Sequence, residues 1–141
     1  MEDNPVNLID RFGLWVKRCS RLLGRKDRPA AEPDAVLRHE YLNVSGTILS
    51  FTTEGNPLWS QGKVDRIEDP NKGCRLICDD DRFDAYVFAA AQQVGAPTYC
   101  ILAFKGSPMY ERGARNCQSW TDEVLSIARR NYLANVPCPK C

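Results

Sequence analysis

One histidine and one cysteine are the residues with the clearest potential for chemistry. The chain contains seven cysteines and a single histidine, so a catalytic pair of a thiol and an imidazole must use His39. Cys117 follows Asn116, a residue type that caps helices, and therefore occupies the first turn of a predicted helix. The free N–H groups and the helix dipole there favour a thiolate and could hold an oxyanion, which predicts a lowered pKa for Cys117. The alternative is that Cys117 only fills space where the helix packs.

His39 lies at the start of a predicted β-hairpin. Residues 39–44 and 47–53 have the composition of two strands, and Ser45-Gly46 between them suits a two-residue turn. A strand fixes the direction of a side chain, which is what a general base requires. A lone histidine is also common as a partly buried residue without a chemical role, and this alternative stays open.

The second strand of the hairpin offers a third polar residue that could orient the imidazole. With a two-residue turn, Thr52 lies opposite His39. By the same register, Ser50 lies opposite Tyr41 on the same face of the hairpin. Three residues are therefore candidates, and the sequence does not choose among them: Thr52, Ser50 and Glu54.

Two segments of the chain carry a resemblance to a known family. The segments are RHEYLNVSGTILSFT at 38–52 and RNCQSWTDEVLSIA at 115–128. This order, with the histidine before the cysteine, resembles the circularly permuted papain-like hydrolases of the NlpC type, which include lecithin retinol acyltransferase-like proteins and desumoylating peptidases. The resemblance extends over about residues 38–133. It implies a permuted papain-like fold with Cys117 as the nucleophile, His39 as the base and a third polar residue on the strand after the histidine.

The remaining elements predict an α+β domain in which a small antiparallel sheet packs with helices. A third strand is expected over residues 59–67 with an interruption near Gly62, followed by a loop over 68–74. A helix over 80–94 ends at Gly95, and an apolar buried strand follows over 98–105. The last helix extends from about residue 116 to 133, and the tail is irregular.

The N-terminal segment is predicted to be separate from this domain. Apolar residues recur at spacings of three and four over residues 4–24, which predicts an amphipathic helix with a basic C-terminal end. A linker rich in proline follows at 27–34, so the proposed division is 1–34 for the helix and linker and 35–141 for the catalytic domain. The composition of the helix is that of an interfacial membrane helix, and the alternative is that it packs on its own domain.

Composition and charge exclude several classes of protein. The net charge is +1, which argues against a general nucleic-acid-binding protein. No run of apolar residues is long enough for a transmembrane helix, and the N-terminus does not resemble a secretory signal. We therefore expect a protein made in a cytosol, or one secreted without a cleaved signal peptide that acts at the envelope of a target cell.

The other six cysteines have structural interpretations. Cys19 and Cys100 lie on apolar stretches and are expected to be free thiols in the core. Four more lie in loops and the tail, and they suit two disulfides more than a structural zinc site or free thiols: Cys74, Cys78, Cys138 and Cys141. No cofactor is expected beyond the zinc that this alternative would require.

The resemblance, together with the interfacial helix, implies a thiol-dependent acyl hydrolase or acyltransferase acting on phospholipid esters. Small domains of this type resemble the antibacterial toxic ends of secreted bacterial effectors, so a cognate inhibitor (immunity) protein is a possible partner besides the membrane surface. Residues beside the pair are candidates for oxyanion or substrate contacts: Asn116, Gln118 and Tyr41. The alternatives are a peptidoglycan or isopeptide amidase with the same Cys–His dyad, and a non-catalytic interaction module stabilised by disulfides or zinc.

Overall fold

A five-stranded antiparallel sheet forms the centre of the molecule. The computed structural model describes residues 15–22 and 38–141, and the following bounds refer to these parts. The strands are β1 (Val16–Leu22), β2 (Arg38–Val44), β3 (Thr47–Thr52), β4 (Ser60–Gln61), β5 (Lys63–Asp65), β6 (Arg75–Cys78) and β7 (Thr98–Tyr99). Five of them form one sheet in the order β5-β3-β2-β1-β6, while β4 and β7 form a separate two-stranded ribbon. The expected α+β class and antiparallel sheet are confirmed.

Three helices accompany the sheet: α1 (Phe83–Val94), α2 (Pro108–Glu111) and α3 (Cys117–Asn135). The two long helices, α1 and α3, pack against each other and contribute to the main apolar core. The sheet contributes Leu42, Val44, Leu49 and Phe51 to this core, whereas α3 contributes Trp120 and Tyr132 among others. The ring of Phe51 stacks on Trp120 with 5.6 Å between centroids, so the hairpin is fixed against α3 by aromatic packing.

The hairpin of β2 and β3 has the predicted register. Val44 pairs with Thr47, and the two residues between them form the turn. Ser45 and Gly46 both have positive φ, at 49° and 96°, as a two-residue hairpin turn requires. Asn43 supports the turn, because its side-chain oxygen accepts a hydrogen bond from the Gly46 N–H at 2.8 Å.

The predicted N-terminal helix is wrong where the structure describes it. Residues 16–22 form β1, which lies inside the sheet between β2 and the edge strand β6, so the sheet combines residues from both sides of the proposed 34/35 boundary. The buried positions Val16, Cys19 and Leu22 are three residues apart, which imitates a helical face. In the strand, Val16 packs in the helix-covered core while Cys19 packs on the opposite face. The rest of the predicted helix and the linker at 27–34 lie outside the described residues.

The loop between β5 and β6 covers the face of the sheet opposite the helices. Tyr41 and Asn43 of β2 anchor it, because they donate hydrogen bonds to the carbonyls of Asp69 at 2.6 Å and Pro70 at 2.8 Å. The Ser20 N–H of β1 donates to the Gly73 carbonyl at 3.2 Å. A side chain at Gly73 would place its Cβ 2.5 Å from the Ser20 carbonyl, so glycine permits this close approach.

Two disulfides are present, but their partners differ from the prediction. Cys19 of β1 bonds to Cys74 of the covering loop, and Cys78 of β6 bonds to Cys141 in the tail. Cys19 is therefore not a free core thiol, and Cys138 is not paired but free and exposed. The spacing of the cysteines along the sequence predicted the wrong four bonded cysteines, because the true partners lie 55 and 63 residues apart and are brought together by the folding of the sheet.

Of three further predicted elements, the interrupted strand is confirmed, whereas a later strand and a helix are shorter than expected. The interrupted strand over 59–67 is present as β4 and β5, which separate at Gly62. The strand expected over 98–105 is limited to Thr98–Tyr99, after which the chain turns and leaves Leu102 and Phe104 exposed. The helix expected from residue 80 begins at Phe83, because Asp80 instead accepts hydrogen bonds from Arg82.

The tail is irregular, as expected, and it docks on the buried Asp80. Tyr132 of α3 donates to the Asp80 carboxylate at 2.5 Å, and Arg82 contacts both that carboxylate and the carbonyls of Pro137 and Cys138. Hydrogen bonds from Arg82 hold the pKa of Asp80 well below its usual range, although burial opposes this. Within residues 15–22 and 38–141, no helix has the length and apolar character needed to span a bilayer.

Candidate thiol–imidazole site

Cys117 is the first residue of α3, as predicted. Asn116 caps the helix, because its side-chain oxygen accepts a hydrogen bond from the Ser119 N–H at 2.8 Å. Ser119 returns the contact by accepting from the Asn116 N–H at 2.9 Å, which completes a capping box. The Asn116 amide also donates to the Ile101 carbonyl at 3.1 Å. Asn116 is therefore fully used in building the helix start and is not free to hold an oxyanion.

The thiol of Cys117 lies against the backbone on both sides of His39. Its Sγ accepts a hydrogen bond from the Glu40 N–H at 3.4 Å and lies 3.5 Å from the Arg38 carbonyl. The side-chain amide of Gln118 donates to the same Arg38 carbonyl at 3.2 Å. β3 pairs with β2 from Leu42 to Val44. On the same edge of β2, the backbone of residues 38–40 is therefore open to contact with the start of α3. This edge of β2 thereby holds the sulfur at the backbone of the two residues that flank His39.

The environment of the thiol opposes ionisation, contrary to the prediction. Cys117 is only 3% exposed, and burial raises the pKa of its thiol to about 11. The N–H groups of Glu40, Gln118 and Cys117 favour the thiolate, but their effect is smaller than that of desolvation. The expected lowering of the Cys117 pKa is thus wrong, because the prediction considered the helix dipole and not the covering of the sulfur.

The imidazole of His39 is buried and held at one nitrogen. His39 is 1% exposed, and its Nε2 lies 2.6 Å from Ser50 Oγ and 3.3 Å from Glu68 Oε2. Ser50 Oγ in turn donates to Glu68 Oε2 at 3.2 Å, so the three side chains form a closed network. The ring also stacks near Tyr41, with 5.8 Å between centroids. Of the three predicted orienting residues, Ser50 is the one that contacts the ring.

Glu68 was missed by the sequence analysis, which placed it in a loop without a role. Arg21 of β1 binds its carboxylate through two hydrogen bonds, at 2.8 and 3.1 Å. Burial raises the pKa of Glu68, but the hydrogen bonds from His39 and Arg21 outweigh it and hold the pKa well below its usual range. A charged carboxylate therefore faces His39. No local sequence pattern could have found it, because the approach depends on the fold of the covering loop.

The other predicted site residues lie elsewhere or have structural roles. Thr52 pairs with Lys63 of β5, and Glu54 forms an exposed ion pair with the same lysine at 2.5 Å. Neither residue has a hydrogen bond to His39 in the described part of the chain. Tyr41 is buried with its hydroxyl committed to Asp69, and burial raises its pKa to about 12. Gln118, whose amide lies beside the sulfur, is the remaining candidate for substrate contact.

The sulfur of Cys117 contacts the backbone on both sides of His39, but the thiol and the imidazole are not joined. Within the described residues, no hydrogen bond connects Cys117 Sγ to the imidazole, and Nδ1 of His39 has no hydrogen-bond partner there. Because Nε2 is engaged by Ser50 and Glu68, Nδ1 is the nitrogen available to accept a proton. The arrangement therefore places a thiol against the backbone that carries a fixed imidazole. Acyl transfer by this pair would require the covered sulfur to become accessible and to meet the ring.

The described residues do not contain the zinc site that was the alternative for the cysteines. Across residues 15–22 and 38–141, no group of three or more histidine, cysteine or acidic side chains is arranged to bind a metal ion. Three of the four proposed ligands, Cys74, Cys78 and Cys141, are in disulfides, and such sulfurs are not thiolate ligands.

Comparison with family models, curated proteins and solved structures finds no match for this chain. The permuted papain-like fold is therefore an expectation from two short segments.

Proposed function

We propose that the protein is a thiol-dependent acyl hydrolase or acyltransferase with Cys117 as nucleophile and His39 as base. One observation carries the proposal: the sulfur at the start of α3 lies 3.4 Å from the N–H of the residue that follows a buried, oriented imidazole. Ser50 and Glu68 hold the ring at Nε2 and leave Nδ1 for proton transfer. A nucleophile, a base and a residue that orients the base are the parts that acyl transfer requires.

The reaction would proceed in two steps through an acyl-thioenzyme. His39 takes the thiol proton as Cys117 Sγ attacks the ester carbonyl, and the N–H groups at the start of α3 stabilise the resulting oxyanion. The tetrahedral intermediate collapses, the C–O bond breaks, and His39 returns the proton to the leaving alcohol. Water or a second alcohol then attacks the thioester with His39 again acting as base, which releases the acid or the transferred ester and restores the thiol.

The raised pKa of Cys117 constrains this mechanism. At neutral pH a thiol with a pKa of about 11 is almost entirely protonated, so the resting pair is not a thiolate–imidazolium ion pair. Proton transfer to His39 would accompany attack instead of preceding it. Glu68 supports this transfer, because its negative charge stabilises the imidazolium that forms. The 3% exposure of Cys117 further requires that substrate binding uncovers the sulfur.

An ester with an apolar acyl chain is the favoured substrate class, and a membrane phospholipid is the favoured member of that class. Four large apolar side chains are exposed near the segment that packs on the start of α3: Leu58, Trp59, Leu102 and Phe104. Ile101 joins the residues beside Leu58 to the helix start, because its N–H donates to the Pro57 carbonyl at 2.8 Å and its carbonyl accepts from the Asn116 amide at 3.1 Å. Exposed apolar surface of this kind is typical of a binding site for an apolar ligand.

The test is hydrolysis of phospholipid vesicles, followed by mass spectrometry of released fatty acid. Cys117→Ala and His39→Ala should each lower the rate about a thousandfold or more, and the double variant should lose little beyond either single one. Cys138→Ala and Cys100→Ala are matched controls, because they remove the other two free thiols and should keep full activity. Full activity in folded Cys117→Ala would rule out the proposal. Release of new amines from sacculi, with intact lipid, would assign the same dyad to amide cleavage.

The burial of Cys117 also favours a second candidate, a non-catalytic interaction module stabilised by two disulfides. A buried thiol that is not joined to the imidazole is expected if both side chains serve packing alone. In that case neither lipid nor peptidoglycan is turned over. Cys117→Ala would then alter only the stability of the protein.

The two disulfides support action in an oxidising compartment. Disulfides persist outside the cytosol and are rare within it. Together with the favoured lipid substrate, this supports the proposal of a secreted enzyme that acts at a cell envelope. Reduction in a cytosol would remove the link between Cys74 and β1, which holds the loop that carries Glu68.

A further inference from the structure

A groove along α3 is lined by four arginines. Its larger part is a cavity of about 500 Å³ formed by β1, β6 and α3, whose lining includes Arg18, Arg75, Arg129 and Arg130. A second cavity of about 300 Å³ lies nearer the start of α3 and extends to Lys105. Both cavities are lined by Asp122, Ser126 and Arg130, which recur every four residues along α3, and the two depressions that flank this row are together called the arginine groove.

The positive charge of the arginine groove is only partly compensated. Arg18 forms ion pairs with Glu40 and with Asp122, the latter at 2.6 Å. In the part of the chain that the structure describes, the other three arginines have no ion pair, and all three are exposed: Arg75, Arg129 and Arg130. Arg75 is moreover the direct register partner of Arg18 on the neighbouring strand. Like charges in this arrangement repel, so an anion in the groove would relieve the repulsion.

The walls of the arginine groove are also apolar. Ile77 of β6 and Leu125 of α3 line it and contact the main core, and Leu133 at its far end is 51% exposed. Asp122, Leu125, Arg129 and Leu133 of the larger cavity recur at spacings of three and four, so they lie on one face of α3. Arginine guanidinium groups beside an exposed leucine suit a ligand that has both an anionic group and an apolar part. The net charge of +1 gives the whole chain no basic excess suited to nucleic acid.

We propose that the arginine groove binds the phosphate headgroups of an anionic phospholipid surface, with Leu133 entering the boundary between headgroups and acyl chains. The groove has the volume of a small-molecule site, which is enough for a headgroup. It is distinct from the thiol site, and binding here does not depend on the chemistry of Cys117. Arg18 nevertheless connects the two regions, because its partner Glu40 supplies the N–H that contacts Cys117 Sγ.

The test measures binding of the full chain carrying Cys117→Ala, which removes hydrolysis as a complication. The probes are vesicles of phosphatidylcholine alone and of phosphatidylcholine mixed equally with phosphatidylglycerol. We expect binding to the mixed vesicles alone, weakened by added salt. Arg129→Gln with Arg130→Gln should weaken it about thirtyfold, and Arg75→Gln on a different element about fivefold. Leu133→Ser should weaken binding to vesicles as well.

Arg66→Gln with Arg112→Gln is the matched control, because it removes two exposed arginines outside the arginine groove and changes the net charge equally. This control should bind within about threefold of the parent. Equal losses in the control and in the Arg129/Arg130 variant would overturn the proposal. So would binding of soluble glycerol phosphate, or of a single-stranded DNA oligonucleotide, as tight as that of the vesicles. Since Cys117→Ala is used throughout, loss of lipid binding is distinguishable from failure of the thiol chemistry.

Discussion

The two faces of the central sheet are stabilised in different ways. On the helix-covered face, apolar residues such as Leu42, Val44 and Phe51 pack against α1 and α3. On the opposite face, His39, Tyr41 and Ser50 are buried under a loop by individual hydrogen bonds and one disulfide. Packing energy is spread over many weak contacts, whereas each polar bond depends on one partner in one position.

This difference separates stability from site geometry. The helix-covered face supplies most of the apolar burial, and its loss should unfold the protein. The loop-covered face contributes less apolar area, but it determines where the imidazole ring is held. Substitutions on the first face should therefore change how much protein is folded, while substitutions on the second should change what the folded protein can do.

Phe51→Ala should have the largest effect. Phe51 is fully buried and stacks on Trp120, so truncation leaves a cavity in the main core. We expect a loss of about 3–5 kcal/mol in the free energy of unfolding, measured by urea denaturation. Leu58→Ala is the control, since this side chain is 56% exposed and its loss should cost less than about 0.5 kcal/mol. A loss below about 1 kcal/mol for Phe51→Ala would show that the aromatic stack is not the centre of the core.

Removal of the Cys19–Cys74 disulfide should come next. Cys19→Ala with Cys74→Ala should lower the free energy of unfolding by about 2–4 kcal/mol. Cys78→Ala with Cys141→Ala should have a similar cost, because it opens a loop of similar length. Only the first variant should also shift the NMR signals of the His39 ring, since only that disulfide holds the loop carrying Glu68. Equal changes of the His39 NMR signals in both variants would contradict the view that the loop-covered face alone positions the imidazole.

Glu68→Gln should change how stability depends on pH. Because the pKa of Glu68 is lowered in the folded protein, its charge contributes stability at neutral pH that is lost as the pH falls below about 5. The variant should therefore lose less stability than the parent between about pH 6 and pH 3, by about 1–2 kcal/mol. The measurement is urea denaturation at several pH values.

Asp80→Asn provides the comparison for this pH effect. The pKa of Asp80 is also lowered, so Asp80→Asn should likewise make the free energy of unfolding less sensitive to acid. The carboxylate that is lost in this variant lies beside the tail and not beside His39. Only Glu68→Gln should in addition lower the rate of the proposed acyl transfer at neutral pH. An unchanged acid profile in Glu68→Gln would mean that the carboxylate is not engaged by Arg21 and His39 in solution.

Ser50→Ala and Thr52→Ala should show the smallest effects on stability. Ser50→Ala removes the 2.6 Å contact to His39 Nε2 and should cost about 1 kcal/mol in unfolding free energy. Thr52 is half-buried at the end of β3, and its substitution should stay within about 0.5 kcal/mol. The pair is matched, because both residues lie on β3 and on the same face. A larger loss of unfolding free energy for Thr52→Ala than for Ser50→Ala would contradict the assignment of Ser50 as the residue that orients His39.

Local patterns in the sequence predicted the parts of the site that local chemistry determines. The turn residues Ser45 and Gly46 determined the register of the hairpin, and Asn116 determined where α3 begins. The position of Cys117 at that helix start and the choice of Ser50 as a candidate followed from these two features. Each depends on residues within a few positions of one another.

Features that depend on distant parts of the chain could not be predicted in this way. β1 was predicted as helix because its buried residues face two different layers, and the resulting spacing of three is helical. Glu68 meets His39 only because the covering loop folds over the sheet, and the disulfide partners are 55 and 63 residues apart. The pKa of Cys117 likewise depends on the residues that bury it, which a helix start alone does not reveal.

The order of the disulfides along the chain has a consequence for the covalent topology of the molecule. The ring closed by Cys19–Cys74 ends before the ring closed by Cys78–Cys141 begins, and residues 75–77 connect them. A single proteolytic cut inside either ring leaves one covalent molecule. A cut at 75–77 separates two halves that are held together by noncovalent contacts, among them the pairing of β1 with β6. Residues 19–141 thus form two successive closed rings whose junction is itself part of a strand of the shared sheet.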